Sequence, residues 1–327
     1  MKKSLDTKLE AMRLGRDTRN DFIIADAKDA DMAFGLASGG QKPDGTYRRI
    51  DEYRNCMREV AAQGLVDIVL MSASSLEILA KDENLFENSA VTPAARANDT
   101  SDIWACRGAS YASRASRPFR SADIKCIKAC GANLGLYSTT FNNDLDADYA
   151  SLKAFSAFRL ECCLESFKYF WEVFNPNVAV FESAQKTADF VNDCIARTLA
   201  GITRAQRPQF LKVAYNGPLA MEALASYDTS MPVGILGGGA GTTYDAFKLL
   251  EQAQKYGARV ALFGRKINNA ESPTDFIKYL RAIADGLIAP EAAVKAYHAD
   301  LKKQKLKPAR NFKDDMLLTQ TALGYAK

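Results

Sequence analysis

Lys212 stands in the middle of a short apolar run, Phe210, Leu211, Val213, Ala214 and Tyr215, inside RPQFLKVAYNGP. Arg-Pro before the run and Asn-Gly-Pro after it bound a segment that reads as a buried strand. An ammonium in such a place costs on the order of several kcal/mol unless it is paired, snorkels from a strand end or gives up its proton. Lys212 is therefore either a structural ion or a neutral amine able to do chemistry. Other residues of chemical interest are Asp26, at the end of DFIIAD, and Glu172, inside KYFWEVFNPN. Lys125 and Lys128 fall in ADIKCIKACGAN. The glycine-rich LGGGAGTTYDAF leads into a helical pattern, where free N–H groups suit an anion, and Gly264-Arg265 follow the next apolar run.

These residues need elements to carry them. Residues 21–26, 65–71, 88–92, 122–133, 168–177, 210–215, 231–236 and 258–266 read as eight short strands. They are continuous apolar runs, as in buried parallel sheets. Helical patterns at 48–63, 147–166, 186–200, 218–226, 243–256, 274–286 and 290–304 lie between or after them, and residues 3–14 form a leading helix. From Pro93 to about Arg120 the chain reads as a long loop with Arg96, Arg107, Arg114, Arg117 and Arg120, suited to solvent or to an anion. Eight strand–helix repeats in 327 residues predict a (β/α)8 TIM barrel, a single domain over 1–327. The barrel core is expected over about 20–287, with a C-terminal helical extension over 288–327.

In such a barrel the active site lies at the C-terminal ends of the strands, and the loops after the seventh and eighth strands hold phosphate. That gathers Asp26, Glu172, Lys212, the GGGAG turn and Arg265. Phe22, Ile24 and Asp26 share one face of their strand. Phe170, Glu172 and Phe174 share another, and so do Phe210, Lys212 and Ala214. Lys125 and Lys128 lie on opposite faces of the predicted fourth strand, so only one points inward. Each residue has a plainer reading: Glu172 as a buried ion-pair partner, Asp26 as a cap, GGGAG as a tight turn. A dinucleotide fingerprint in VGILGGGAG is the rival motif. It fails at the third glycine, where Thr242 stands, and Arg265 would suit only NADP.

Composition narrows the partners. The net charge is +4, with Lys and Arg spread along the chain, so nothing argues for nucleic acid. No apolar run reaches membrane-span length, and the N-terminus lacks the apolar centre of a signal peptide. Seven scattered cysteines imply reduced thiols and a cytoplasmic setting. The single histidine, His298, reads as a surface residue and disfavours His-ligated zinc or a Ser-His mechanism.

With FLKVAY, GGGAG and GRK in this order, residues 20–272 resemble class I aldolases of the barrel type. The resemblance is to tagatose-1,6-bisphosphate and sulfofructose-phosphate aldolases, and more distantly to deoxyribose-phosphate and archaeal-type fructose-bisphosphate aldolases. It matches Lys212 to the family's Schiff-base lysine, Ala25-Asp26 to its first-strand acid, and Ile124-Lys125 to its fourth-strand lysine. Trp171-Glu172-Val173 matches its fifth-strand glutamate. Gly237-Gly238-Gly239 replaces its S-A-G turn, and Gly264-Arg265 matches its strand-8 G-R, with Asn268 where the family has tryptophan.

The resemblance implies reversible retro-aldol cleavage of a phosphorylated ketose, without cofactor or metal, by a cytoplasmic homo-oligomer. Lys212 would form the iminium, its proton affinity lowered by burial and by Lys125. Glu172 would transfer protons and Asp26 would orient hydroxyls. Gly238, Gly239, Gly264 and Arg265 would hold the phosphate. The alternatives are a phosphate-binding isomerase or epimerase using Glu172 as base, and a sugar-phosphate sensor without turnover.

Overall fold

The computed structural model describes residues 1–42, 45–239 and 241–324. Eight parallel strands close into a barrel: β1 (Ile23–Lys28), β2 (Ile68–Met71), β3 (Thr92–Arg96), β4 (Leu134–Thr140), β5 (Lys168–Phe174), β6 (Leu211–Val213), β7 (Val233–Leu236) and β8 (Val260–Phe263). Each strand pairs with the next in sequence, and β8 closes on β1. This is the predicted (β/α)8 fold.

The helices that matter for the site are α1 (Ser4–Arg13), α2 (Ile50–Gln63), α3 (Ile124–Ala129), α4 (Leu145–Leu164), α5 (Ala184–Ala200), α6 (Pro218–Tyr227), α7 (Thr243–Lys255), α8 (Pro273–Ala284) and α9 (Pro290–Lys303). Strand parity sorts the apolar residues into two cores. Ile23, Ala25, Ile68, Leu70, Phe170 and Phe210 point into the barrel, where Leu5, Leu9 and Met12 of α1 pack with them. Phe22, Ile24, Val69, Trp171, Leu211 and Phe263 face the surrounding helices.

Two strands differ from the sequence expectation. The fourth was expected over 122–133, but Ile124–Ala129 is the helix α3. Asp123 caps it, its Oδ1 accepting from the Cys126 N–H at 3.0 Å. Ile124 and Ile127, both buried, are three apart, which is a helical spacing rather than a strand spacing. The strand is the following LGLYSTT, buried along its whole length. The third strand was expected over 88–92 and lies at Thr92–Arg96, so the expected loop begins as barrel wall. The rest of that segment crosses the mouth, pinned by two short antiparallel strands, Asp99–Thr100 and Pro118–Phe119.

His298 is not a surface residue: its side chain is 12% exposed and its Nε2 lies 2.9 Å from Asp315. That contact ties α9 to the chain beyond it, which folds over the start of α7. There Thr243 N–H donates to Asp315 and Thr319 N–H donates to Asp245.

Candidate active site

Register places the chemistry. Ser138 on β4, Glu172 on β5 and Lys212 on β6 are lateral neighbours in adjacent parallel strands, followed by Gly234 on β7. All four have inward parity, so the side chains of Ser138, Glu172 and Lys212 form a row across the barrel mouth, ending at Gly234. Lys212 Nζ lies 2.5 Å from Glu172 Oε1, with side-chain exposures of 7% and 2%. The buried lysine is therefore paired. Beneath the pair, Phe170 and Phe210 stack with centroids 4.7 Å apart and make an apolar floor.

Glu172 is held from its other oxygen. Ser138 Oγ donates to Glu172 Oε2 at 2.6 Å and accepts from the Arg96 guanidinium at 2.9 Å. Arg96 Nε donates to Asp29 Oδ2 at 2.6 Å. Asn98 brackets the Ser138 backbone, its Oδ1 accepting from Ser138 N–H and its Nδ2 donating to Ser138 O. The result is a chain of charge-assisted bonds, Asp29–Arg96–Ser138–Glu172–Lys212, from the ends of five strands. Burial pushes the Asp29 carboxyl up, but the Arg96 guanidinium, with Lys212 beyond it, outweighs burial and holds it below the ordinary carboxylate value.

Above this chain is a cavity of about 290 Å³, lined on one side by Gly237, Gly238, Gly264 and Arg265. Arg265 is exposed and makes no hydrogen bond or ion pair with the described residues. Gly239 lies against its guanidinium: a Cβ there would come within 2.7 Å of Arg265 Nε. Ala240 of the GGGAG turn lies outside the described residues. The start of α7, expected to offer free N–H groups, is closed by carboxylates of the chain itself: Thr242 N–H donates to Asp245 and Thr243 N–H to Asp315. Among the described residues lining this side of the cavity, the glycine turn and Arg265 remain for an anion. Among the described residues no group of three or more His, Cys, Asp or Glu is placed to hold a metal ion.

Lys212, Glu172, Gly238, Gly264 and Arg265 thus meet at one cavity, with Gly239 beside it. Two expected residues do not. Lys125 lies on α3, its side chain 75% exposed and 3.7 Å from Glu165; Lys128 also pairs with Glu165. The helix carries both away from the mouth. Asp26 has the parity of Ile24 and faces the helix layer, where it meets Lys28 at 3.3 Å with both side chains fully buried. Burial pushes its carboxyl above the ordinary range, and Lys28 offsets that only in part.

The first-strand acid of the site is Asp29, one parity step beyond Ala25 and Ala27. Asp29 and Ser138 were absent from the sequence reading, and Arg96 entered it only as one of the arginines of the expected loop. The small and apolar Ile23, Ala25 and Ala27 marked the inward face of β1, and extending that parity reaches Asp29. Arg96 needed the correct start of β3, and Ser138 needed a strand whose inward residues are partly polar.

No protein-family model matches the chain, and no curated protein matches it. Solved structures do. A crystal structure of an archaeal fructose 1,6-bisphosphate aldolase superposes with a TM-score of 0.63 at 14% identity, covering 85% of this chain and 99% of that one. The fructose-bisphosphate aldolase of Slackia heliotrinireducens gives 0.65 at 12% identity, covering 91% and 90%. An archaeal fructose-1,6-bisphosphate aldolase with its catalytic lysine bound to the carbinolamine intermediate of the substrate gives 0.62 at 14%, covering 85% and 99%. At these identities the likeness shows a shared fold.

Proposed function

We propose that the chain is a class I aldolase that cleaves a phosphorylated ketose through an iminium on Lys212. The observation that carries this is the Lys212–Glu172 pair, 2.5 Å apart, at the bottom of a cavity whose rim holds an unpaired arginine and a glycine turn. The solved neighbours named as fructose-bisphosphate aldolases, one with its lysine bonded to a substrate intermediate, support the same chemistry.

Lys212 gives a proton to Glu172, and its amine adds to the ketone carbon. Glu172 returns a proton to the carbinolamine hydroxyl, which leaves as water, giving the iminium. The base then takes the proton of the hydroxyl on the carbon two away from the iminium carbon, and the bond from that hydroxyl-bearing carbon to the carbon next to the iminium breaks. Its electron pair enters the iminium to form an enamine as the aldehyde leaves. Protonation and hydrolysis of the enamine free Lys212 and a dihydroxyacetone-phosphate-like product. Arg265, with backbone N–H groups of Gly238 and Gly239, holds the phosphate and sets the carbonyl over Lys212. Arg96 and Ser138 hold Glu172 in line.

The test is reductive trapping. Borohydride added with dihydroxyacetone phosphate is expected to fix a mass adduct on the peptide carrying Lys212, and Lys212→Met is expected to fold and to abolish it. A protein that turns over sugar phosphates without any adduct would sink the Schiff-base reading and favour isomerase chemistry.

A further inference from the structure

The cavity has two unlike ends. One end, at β7 and β8, carries Arg265 and the glycine turn. The other is formed by the chain after β1, the segment after β3 and the end of β5: Ala30, Ala33, Phe34, Ile103, Ala105 and Phe174. That wall is apolar. Its charged neighbour is Asp102, whose two carboxylate oxygens accept from Ser116 Oγ at 2.7 Å and Thr140 Oγ1 at 2.9 Å.

The cations complete the picture. Among the described residues lining the cavity they are Lys212, Arg96 and Arg265. Lys212 is the nucleophile and is paired with Glu172. Arg96 is buried and spends its donors on Asp29 and Ser138, with Glu172 at 3.6 Å. Of the mouth-segment arginines beyond Arg96, none lines the cavity. Arg107 lies over the Tyr47 ring, 5.0 Å from its centroid, and Arg120 pairs with Glu161. Lys266 is turned to the carbonyls of Gly241 and Thr242. Among the described residues one unpaired cation, Arg265, therefore serves the cavity, and the far end offers apolar carbon and a carboxylate.

Resting on the aldolase reading above, we infer that the substrate carries one phosphate, on the ketone-bearing half, and that the aldehyde half is uncharged. A second phosphate, a sulfonate or a carboxylate at the far end would be desolvated against Phe34, Ile103 and Phe174 beside Asp102, with no cation to meet it. A hydroxylated or alkyl aldehyde meets no such cost.

The test runs the reaction toward condensation, after trapping of dihydroxyacetone phosphate on Lys212 has been scored. With dihydroxyacetone phosphate as donor, kcat/KM is measured for glyceraldehyde and for glyceraldehyde 3-phosphate. The unphosphorylated aldehyde is expected to be favoured about tenfold or more, a discrimination of the size set by an unpaired buried charge. Equal use, or preference for glyceraldehyde 3-phosphate, in a protein that traps the donor overturns this inference and leaves the aldolase reading intact. Failure to trap the donor overturns both. Phe34→Arg, which places a cation on the far wall at a half-buried position, is expected to raise the use of glyceraldehyde 3-phosphate relative to glyceraldehyde. No gain would show that this wall does not contact the aldehyde.

Discussion

The assignment of Asp26 to the helix side of β1 makes a quantitative prediction, because the same residue was the natural choice for an active-site acid. Asp26 and Lys28 are fully buried, 3.3 Å apart, and neither carboxylate oxygen nor the ammonium makes a hydrogen bond to the described residues. At an effective dielectric constant of about 20, two unit charges at that distance attract by about 5 kcal/mol. Removing one partner strands the other in the core. Asp26→Asn is therefore expected to destabilise the fold by about 3–5 kcal/mol, as for other broken buried pairs. Replacing both, as Asp26→Leu with Lys28→Met, removes the desolvation of two ions along with their attraction. The double variant is expected to lie between neutral and about 1–4 kcal/mol more stable than the parent.

Urea unfolding of the parent, Asp26→Leu, Lys28→Met and the double gives the coupling energy directly. Trapping of dihydroxyacetone phosphate on Lys212 is scored on the same four proteins. The double variant is expected to trap as the parent does, since no atom of the pair reaches the barrel mouth. The reasoning is refuted if Asp26→Asn leaves the unfolding midpoint unchanged. It is equally refuted if the double variant folds with parental stability and cannot form the iminium, for then Asp26 reaches substrate.

Two further outcomes follow from the site itself. The native Asp29 pKa is lowered below its unfolded value, so its contribution to stability is fully present above the unfolded value near about 4 and is lost as pH falls through the lower native one. The stability gap between the parent and Asp29→Asn, from urea melts, is expected to be wide at neutral pH and to close on acidification; a gap constant with pH would contradict the Arg96 pairing. Gly239→Ala puts a Cβ within 2.7 Å of Arg265 Nε and 2.8 Å of its Cζ, which forces that side chain aside. KM for a phosphorylated ketose is expected to rise about tenfold, a loss of ~1.4 kcal/mol, with kcat and melting temperature little changed. An unaltered KM would free Arg265 from any part in phosphate binding.

What the sequence showed and what it hid divide along a physical line. The barrel was legible because its strands are mostly continuous apolar runs between helical patterns, and Lys212 and Glu172 were legible as ions inside such runs. The fourth strand was hidden by composition. Ser138, Thr139 and Thr140 make LGLYSTT look less buried than it is, while Ile124, Ile127 and the lysines beside them make α3 look like a strand. Misplacing it hid Ser138 and drew Lys125 into the site. Asp26 was misassigned for a different reason: β1 carries ions on both faces, Asp26 and Lys28 toward the helices and Asp29 toward the mouth. Residue type cannot separate them. The small residues Ala25 and Ala27 can, because they share the inward face of β1 with Ile23, and Asp29 continues that parity.

The same parity shows what enforces the row of Ser138, Glu172 and Lys212. Since the side-chain period of a strand is two, slipping β5 by one residue would bring Trp171 or Val173 to the mouth and turn Glu172 into the helix layer. The outward row prevents the slip. Trp171 stacks on Phe155 of α4 with centroids 4.7 Å apart, and its indole N–H donates to Thr139 Oγ1 at 3.0 Å. Thr139, Trp171 and Leu211 belong to β4, β5 and β6, the strands that carry Ser138, Glu172 and Lys212, and each is the chain neighbour of one of them. The indole is too large for the barrel interior and finds its hydrogen-bond partner only on the outward face of β4. Fixing those residues outward fixes Ser138, Glu172 and Lys212 inward. The 2.5 Å approach of Lys212 to Glu172 is thus set by aromatic packing on the opposite side of the sheet as much as by the attraction of the two charges.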